Sequence, residues 1–336
     1  MRLRVSLLVL SVVLSACSSS EQASRSVGTP ENDITLSVED SAAGPEAPDV
    51  PNTAAIGRPA EVPPEVILAF NGRPVPEVAT TASEAARLFA SVHEGLRVED
   101  DPSSYADLGH TEQLVIRQLL RNGEWIPEFL DALSAQDRAI AELHITARQQ
   151  LGALHSGGDP SPTIPAWTII EPEPLDTLVE HYKRAGEATG IDWQILAGIN
   201  LIETGMGRIR GDSSAGAQGP MQFLPSTWEE VSEGGDINDP SDAIDGAARY
   251  LVQRGGLDDI RDGLFGYNNS NNYVNAVLAY AELITLDERT LRGFYNWEIY
   301  VGTDAGTLWL PVGYLSPEAT PANEYANQNP WALTLG

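Results

Sequence analysis

The chain has 336 residues, with 48 acidic side chains against 20 basic ones, a net charge of -28 and a single cysteine. A polyanion would meet long-range repulsion over such a surface, so nucleic acid is excluded as a partner. One cysteine excludes any intramolecular disulfide, so an exported fold has to rest on its core alone.

Arg2 and Arg4, then the apolar run Val5 to Leu14, then Leu14-Ser15-Ala16-Cys17, read as an export signal over residues 1–16. The run is too short to cross the ~30 Å hydrocarbon core of a bilayer. The small residues before Cys17 resemble the lipobox of bacterial lipoproteins. That resemblance implies a lipid-modified Cys17, an anchor in the cell envelope and a membrane as partner. Residues 17–65 are rich in Ser, Ala, Pro, Gly, Glu and Asp and lack aromatics. This composition predicts a disordered tether.

From Thr81 to Leu154 apolar residues recur at helical spacing, as in Ala85, Leu88, Phe89 and Val92, then Leu114, Ile116, Leu119 and Leu120, then Phe129 to Leu143. Three helices are expected there, inside a helical N-terminal region over residues 66–156. His155 to Pro165 breaks the pattern and reads as a linker. Helical spacing resumes at Leu175, Leu178, Val179 and Tyr182 and stops at Gly190, opening a helical domain over residues 166–286. The next helix begins near Asp192, a possible cap, and carries Glu203 close to its end before Gly205 and Gly207. Asp239-Pro240-Ser241-Asp242 is a further helix start, and a last helix covers Asn271 to Ile284. In residues 287–336, the runs Glu298 to Val301 and Thr307 to Leu310 flank Asp304-Ala305-Gly306 as a β-hairpin. The fold class expected is mainly α.

Glu203 lies on the same helical stripe as Ile195, Leu196, Ile199 and Ile202. A carboxyl group facing inward is costly to ionise, so its pKa rises above about 4.3 and it becomes available as a general acid near neutral pH. All five histidines lie at or before His181. From Gly190 onward the chain therefore cannot build a Ser-His-Asp triad, a Cys-His pair or a histidine zinc site from its own residues. Asp236 to Pro240 fails the calcium-loop pattern, because Pro240 and Ser241 occupy positions that loop cannot give them. The histidines show no ligand spacing and read as packing or surface residues. No metal and no cofactor is expected.

Three motifs follow in order: Glu203-Thr204-Gly205-Met206-Gly207-Arg208; Ser213 to Gln222 with Gly216-Ala217 and Gly219, continuing as Phe223-Leu224-Pro225; and Tyr267-Asn268. Together they resemble the lytic murein transglycosylases of the goose-lysozyme-like superfamily, over roughly Leu175 to Ile284. The resemblance implies a lysozyme-like α-helical domain that acts on peptidoglycan glycan strands, with Glu203 as acid and then base. It also implies 1,6-anhydromuramyl products, and Ser213, Gln222, Phe223, Tyr267 and Asn268 as substrate contacts or supports of the acid. A phenol at Tyr267 would give Glu203 its directional hydrogen bond. Asp212 is the acid best placed to enter the cleft as a second carboxylate, which would make the enzyme a hydrolytic muramidase instead. Glu229, Glu230, Glu233, Asp236 and Asp239 read as loop and surface acids. A noncatalytic wall-binding lipoprotein is the alternative from another class. Trp297, Tyr300 and Trp309 on the hairpin either stack on sugars or cement the small sheet. The sequence names no protein partner.

Overall fold

A computed structural model describes residues 66–98, 102–154 and 159–333. The export signal, Cys17 and the tether lie outside the described residues. So does the start of the expected linker.

The N-terminal helices are α1 (Ala82–Val98), α2 (Pro102–Arg121), α3 (Ile126–Asp131) and α4 (Ala135–Leu154). Four stand where periodicity predicts three, because the chain turns twice between α2 and α4. Residues Gly123–Trp125 form a 3-10 turn, Pro127 sits in the first turn of α3, and Ser134 Oγ accepts from the Asp137 amide at the start of α4. Short strands β1 (Thr163–Ile164) and β2 (Thr168–Ile169) follow, so the expected linker is partly strand.

Next come α5 (Leu175–Thr189), α6 (Trp193–Thr204), β3 (Ile209–Arg210), α7 (Pro225–Val231), α8 (Pro240–Gln253), α9 (Ile260–Tyr267), α10 (Asn271–Leu286) and α11 (Thr290–Tyr295). The chain ends in β4 (Ile299–Thr303), β5 (Gly306–Leu310), β6 (Thr320–Pro321) and α12 (Ala322–Gln328). The sheets are antiparallel pairs, β1 with β6, β2 with β3 and β4 with β5. The β4–β5 hairpin pairs Tyr300 with Trp309 across a turn at Asp304-Ala305. The molecule is mainly helical, as the sequence indicates.

Asp239 caps α8, accepting from the Asp242 amide, with Pro240 at the first helical position. Asp192 precedes α6 but makes no side-chain cap; its carbonyl accepts from the Ile195 amide instead. Every residue of α6 from Ile195 to Thr204 is buried. Such a helix has no solvent face and is held by its neighbours on all sides.

One core crosses the boundary that composition draws near residue 160. Phe89, Leu119, Phe129, Ala141 and Leu151 from the N-terminal helices join Leu196, Ile202, Tyr273, Val277 and Phe294 in a single apolar cluster. Helix α10 packs against both α4 and α6. A second cluster holds the hairpin, where Tyr300 and Trp309 are fully covered and Trp309 Nε1 donates to Glu298 at 3.0 Å. Trp297 is covered as well, in the helical core, so none of the three aromatics presents a face to a sugar.

Removing the N-terminal helices would expose the face of α10 that α4 covers. A chain limited to residues 159–333 is expected to lack a cooperative thermal transition, whereas the full chain melts in one step. Cooperative melting of the shorter chain at the same temperature would show that the two parts have separate cores.

Candidate active site

Glu203 is the penultimate residue of α6, and Gly205 in the left-handed conformation (φ 60) ends the helix immediately after it. The glycine is needed twice over, since a Cβ there would also stand 2.7 Å from Ile299 Cδ1. Arg208, almost wholly buried, fixes the following turn by donating to Glu171 and to the Tyr295 carbonyl.

The Gly-rich loop is tied to α6 through one carbonyl. Pro220 O accepts from Asn200 Nδ2 at 2.8 Å and from Thr204 Oγ1 at 2.6 Å. Tyr182 of α5 donates to Asn200 Oδ1 at 2.6 Å and so fixes the amide's orientation. On the other side, Tyr267 donates to Met221 O at 2.7 Å. Gly219 must be glycine: its φ is 72, and a Cβ would fall 1.8 Å from Ile237 O. Gln222, immediately after the two tethered residues, takes φ 51, a conformation that costs a non-glycine residue of order 1 kcal/mol or more. Its side chain donates to Gly219 O at 3.0 Å.

These elements line a groove with Glu203, Gln222, Phe223, Leu224, Thr227, Tyr250, Gly266, Tyr267 and Asn269. Phe223 packs at tilted and edge-to-face angles among Trp228, Tyr250 and Tyr267, and makes one wall apolar. Glu203 is 4 % exposed. Its Oε1 accepts from the Tyr273 hydroxyl at 2.8 Å, while Oε2 has no partner in the protein. Burial pushes the Glu203 carboxyl up to about 8, against the smaller opposing effect of the Tyr273 hydrogen bond. Burial and the nearby Glu203 push the Tyr273 and Tyr267 phenols well above their ordinary range. Tyr273 therefore remains a donor, and the proton of the neutral acid belongs on Oε2.

The sequence-derived positions divide. Glu203, Gln222, Phe223 and Tyr267 line the groove, while Ser213 and Asn268 are not among its lining residues. Ser213 Oγ accepts from the Ala215 and Ala217 amides and braces its own loop. Asn268 is buried at the end of α9, and its neighbour Asn269 reaches the groove. The phenol on Glu203 is Tyr273, not Tyr267. The hydroxyl of Tyr267 is taken by Met221 O, and the two rings lie parallel with centroids 6.3 Å apart. Asp212 does not enter the groove: it is exposed, and its carboxylate accepts from Gln218 at 3.3 Å. Among the described residues lining the groove, Glu203 is the one carboxylic acid, and no histidine or cysteine joins it.

Sequence reasoning also missed Asn200 and Thr204. Both are polar residues inside an apolar helix, which is the signal that could have found them.

Residues 180–283 match the family described as Transglycosylase SLT domain. Over 72 residues the chain is 35% identical to membrane-bound lytic murein transglycosylase F of Ectopseudomonas mendocina (strain ymp), which covers 21% of this chain and 14% of that protein. Over 81 residues it is 33% identical to the protein of the same name from Thiobacillus denitrificans (strain ATCC 25259 / T1), covering 24% and 17%. The chain thus spans less than a fifth of the length of either relative. No solved structure gives a significant match. The groove and its acid lie within the matched segment, which begins in α5 and ends in α10.

The raised pKa links Glu203 to stability. Below about pH 4.5 the carboxyl is protonated whether the chain is folded or unfolded; between there and about 8 only the folded state keeps the proton. Stability therefore falls with rising pH across that window. Glu203→Gln removes the dependence, so its melting temperature should gain on the wild type between pH 5 and 8 and match it near pH 4. A pH-independent difference would contradict a protonated Glu203.

Proposed function

We propose that this chain is a lytic transglycosylase that cleaves the β-1,4 bond between N-acetylmuramic acid and N-acetylglucosamine in peptidoglycan. The observation that carries the reading is a lone carboxylic acid, still protonated near neutral pH, in an aromatic-walled groove that no second carboxylate lines. Glycosidases that form a covalent intermediate or activate water use two carboxylates at a set separation. A single acid suits a reaction in which the substrate supplies its own nucleophile.

In this mechanism Glu203 Oε2 gives its proton to the bridging oxygen as the bond to the muramic acid C1 breaks. The substrate's acetamido oxygen stabilises the cationic centre. Glu203 is now a carboxylate with one hydrogen bond, from Tyr273, in apolar surroundings, and is correspondingly basic. It takes the proton of the C6 hydroxyl as that oxygen bonds to C1, which closes a 1,6-anhydro ring and restores the acid. No water is consumed, and the attack is intramolecular, with the entropic advantage that brings. Gln222, Phe223, Tyr267 and Asn269 line the groove and on this reading contact sugar. Ser213 and Asn268 act through the loops they hold.

The envelope is the site of action on this reading, and lipid at Cys17 is the anchor. Two supports are the Leu14-Ser15-Ala16-Cys17 run and the relatives whose names describe them as membrane-bound. Among the described residues no helix is long and apolar enough to cross a membrane. Cys17→Ser is expected to move the protein from the membrane fraction to the soluble fraction and to abolish labelling by a fatty acid; an unchanged membrane fraction would refute lipid anchoring.

Purified sacculi test the reaction. The wild type should release muropeptides lighter by one water than muramidase products, and Glu203→Gln should fold normally and lose roughly 10²- to 10⁴-fold in rate. Products of full hydrolytic mass would make the enzyme a muramidase, and release of no muropeptides by the folded wild type would leave a wall binder. Tyr273→Phe removes a hydrogen bond to the ionised acid. It should slow turnover about tenfold or more and carry the alkaline limb of the pH profile to higher pH. A rate loss without that shift would leave Tyr273 a packing residue.

A further inference from the structure

Outside the groove lining, three side chains converge in the buried N-terminal helices: His93 from α1, Glu112 from α2 and His144 from α4. Their potential ligand atoms all lie within 4.8 Å of one another, the one such grouping of three among the described residues. Exposure is 4 %, 0 % and 0 %. From the way these atoms face one another we infer that they bind a divalent transition-metal ion of the zinc type, as a structural clamp on the N-terminal helices.

Distance and direction carry the argument. Glu112 Oε1 is 3.0 Å from His93 Nε2 and 3.6 Å from His144 Nε2. None of the three atoms makes a well-aligned hydrogen bond, although all are buried and the His93–Glu112 contact has the length of an ion pair. They are close together without being aimed at each other. Ligands of a tetrahedral ion behave this way, since each lone pair points at a shared centre. With metal–ligand bonds of ~2.0–2.1 Å, adjacent ligand atoms sit about 3.4 Å apart, between the two observed separations.

The chemistry of the set agrees. A carboxylate and two imidazoles brought together in a buried pocket form a donor set that a cation can satisfy. Two imidazoles and one carboxylate suit zinc among the first-row ions, with a small fourth ligand completing the shell.

The outer surroundings are built as well. Trp297 Nε1 donates to Glu112 Oε2 at 2.8 Å, which orients the carboxylate so that Oε1 faces the histidines. A Cβ at Gly293 of α11 would stand 2.6 Å from that same Oε2, so the backbone makes room for it. Phe89, Phe294 and Trp297 surround the two imidazoles and keep the site closed. An enclosed site of this kind links α1, α2 and α4 and, through Trp297 and Gly293, the segment that leads into β4. It serves structure and does not depend on the reaction proposed for Glu203.

The full chain, without a histidine tag, should be refolded with Zn²⁺ or with EDTA and dialysed, and its metal content measured. One zinc per chain is expected from the Zn²⁺ arm. Its melting temperature should exceed that of the EDTA arm by roughly 5 °C at a hundredfold excess of ion over Kd. Co²⁺ in place of Zn²⁺ should give the intense visible bands of four-coordinate cobalt. Glu112→Gln keeps the acceptor for Trp297 and should bind Co²⁺ roughly tenfold or more weakly, with the bands lost. If that variant does not fold, stoichiometry and cobalt spectrum of the wild type decide alone. A folded wild type that retains no zinc would overturn the inference, as would cobalt bands that persist unchanged in a folded Glu112→Gln.

Discussion

A carboxyl group near the end of a helix buried from Ile195 to Thr204 sets the terms for the rest of the site. Glu203 has one hydroxyl on Oε1 and nothing from the protein on Oε2, and its surroundings are apolar enough to push its pKa up to about 8. Such a group is useful only if the groove approaches the free oxygen and the helix cannot shift. The left-handed Gly205, the buried Arg208 and the bonds from Asn200 and Thr204 to Pro220 O all hold that end of α6. Tyr267 and Tyr273 divide the remaining work, one holding the loop and the other the acid.

Chemistry and stability pull in opposite directions here. A buried acid with a raised pKa costs folding stability from about pH 4.5 upward, in full above about 8. The positive φ of Gln222 is a second local cost at the groove. The continuous core from α1 to α11, the clasp of α10 between α4 and α6 and the aromatic packing of the hairpin supply the offset. The N-terminal helices are thus part of the scaffold on which the groove stands.

Much of this could be read from the residues. The apolar stripe around Glu203 announced an inward acid, the Pro-led start at Asp239 announced α8, and alternation around Asp304-Ala305 announced the hairpin. Local signals sufficed in each case. Tyr273 was not legible as the partner of Glu203, because it arrives on α10 seventy residues later, and Tyr267 at the end of α9 carried the more obvious motif. Extra turns between α2 and α4 were hidden by an apolar spacing that continues across them. His93, Glu112 and His144 show no motif because each comes from a different helix and only packing joins them. Spacing rules find ligands carried on one element and miss a site assembled by tertiary structure.

The protonation state of Glu203 can be observed without substrate. In difference infrared spectra of wild type against Glu203→Gln, the stretch of a neutral carboxyl should persist through pH 7 and give way to carboxylate near pH 8. Loss of that band near pH 4.5, the ordinary carboxyl range, would contradict the claim that burial keeps this acid protonated and neutral.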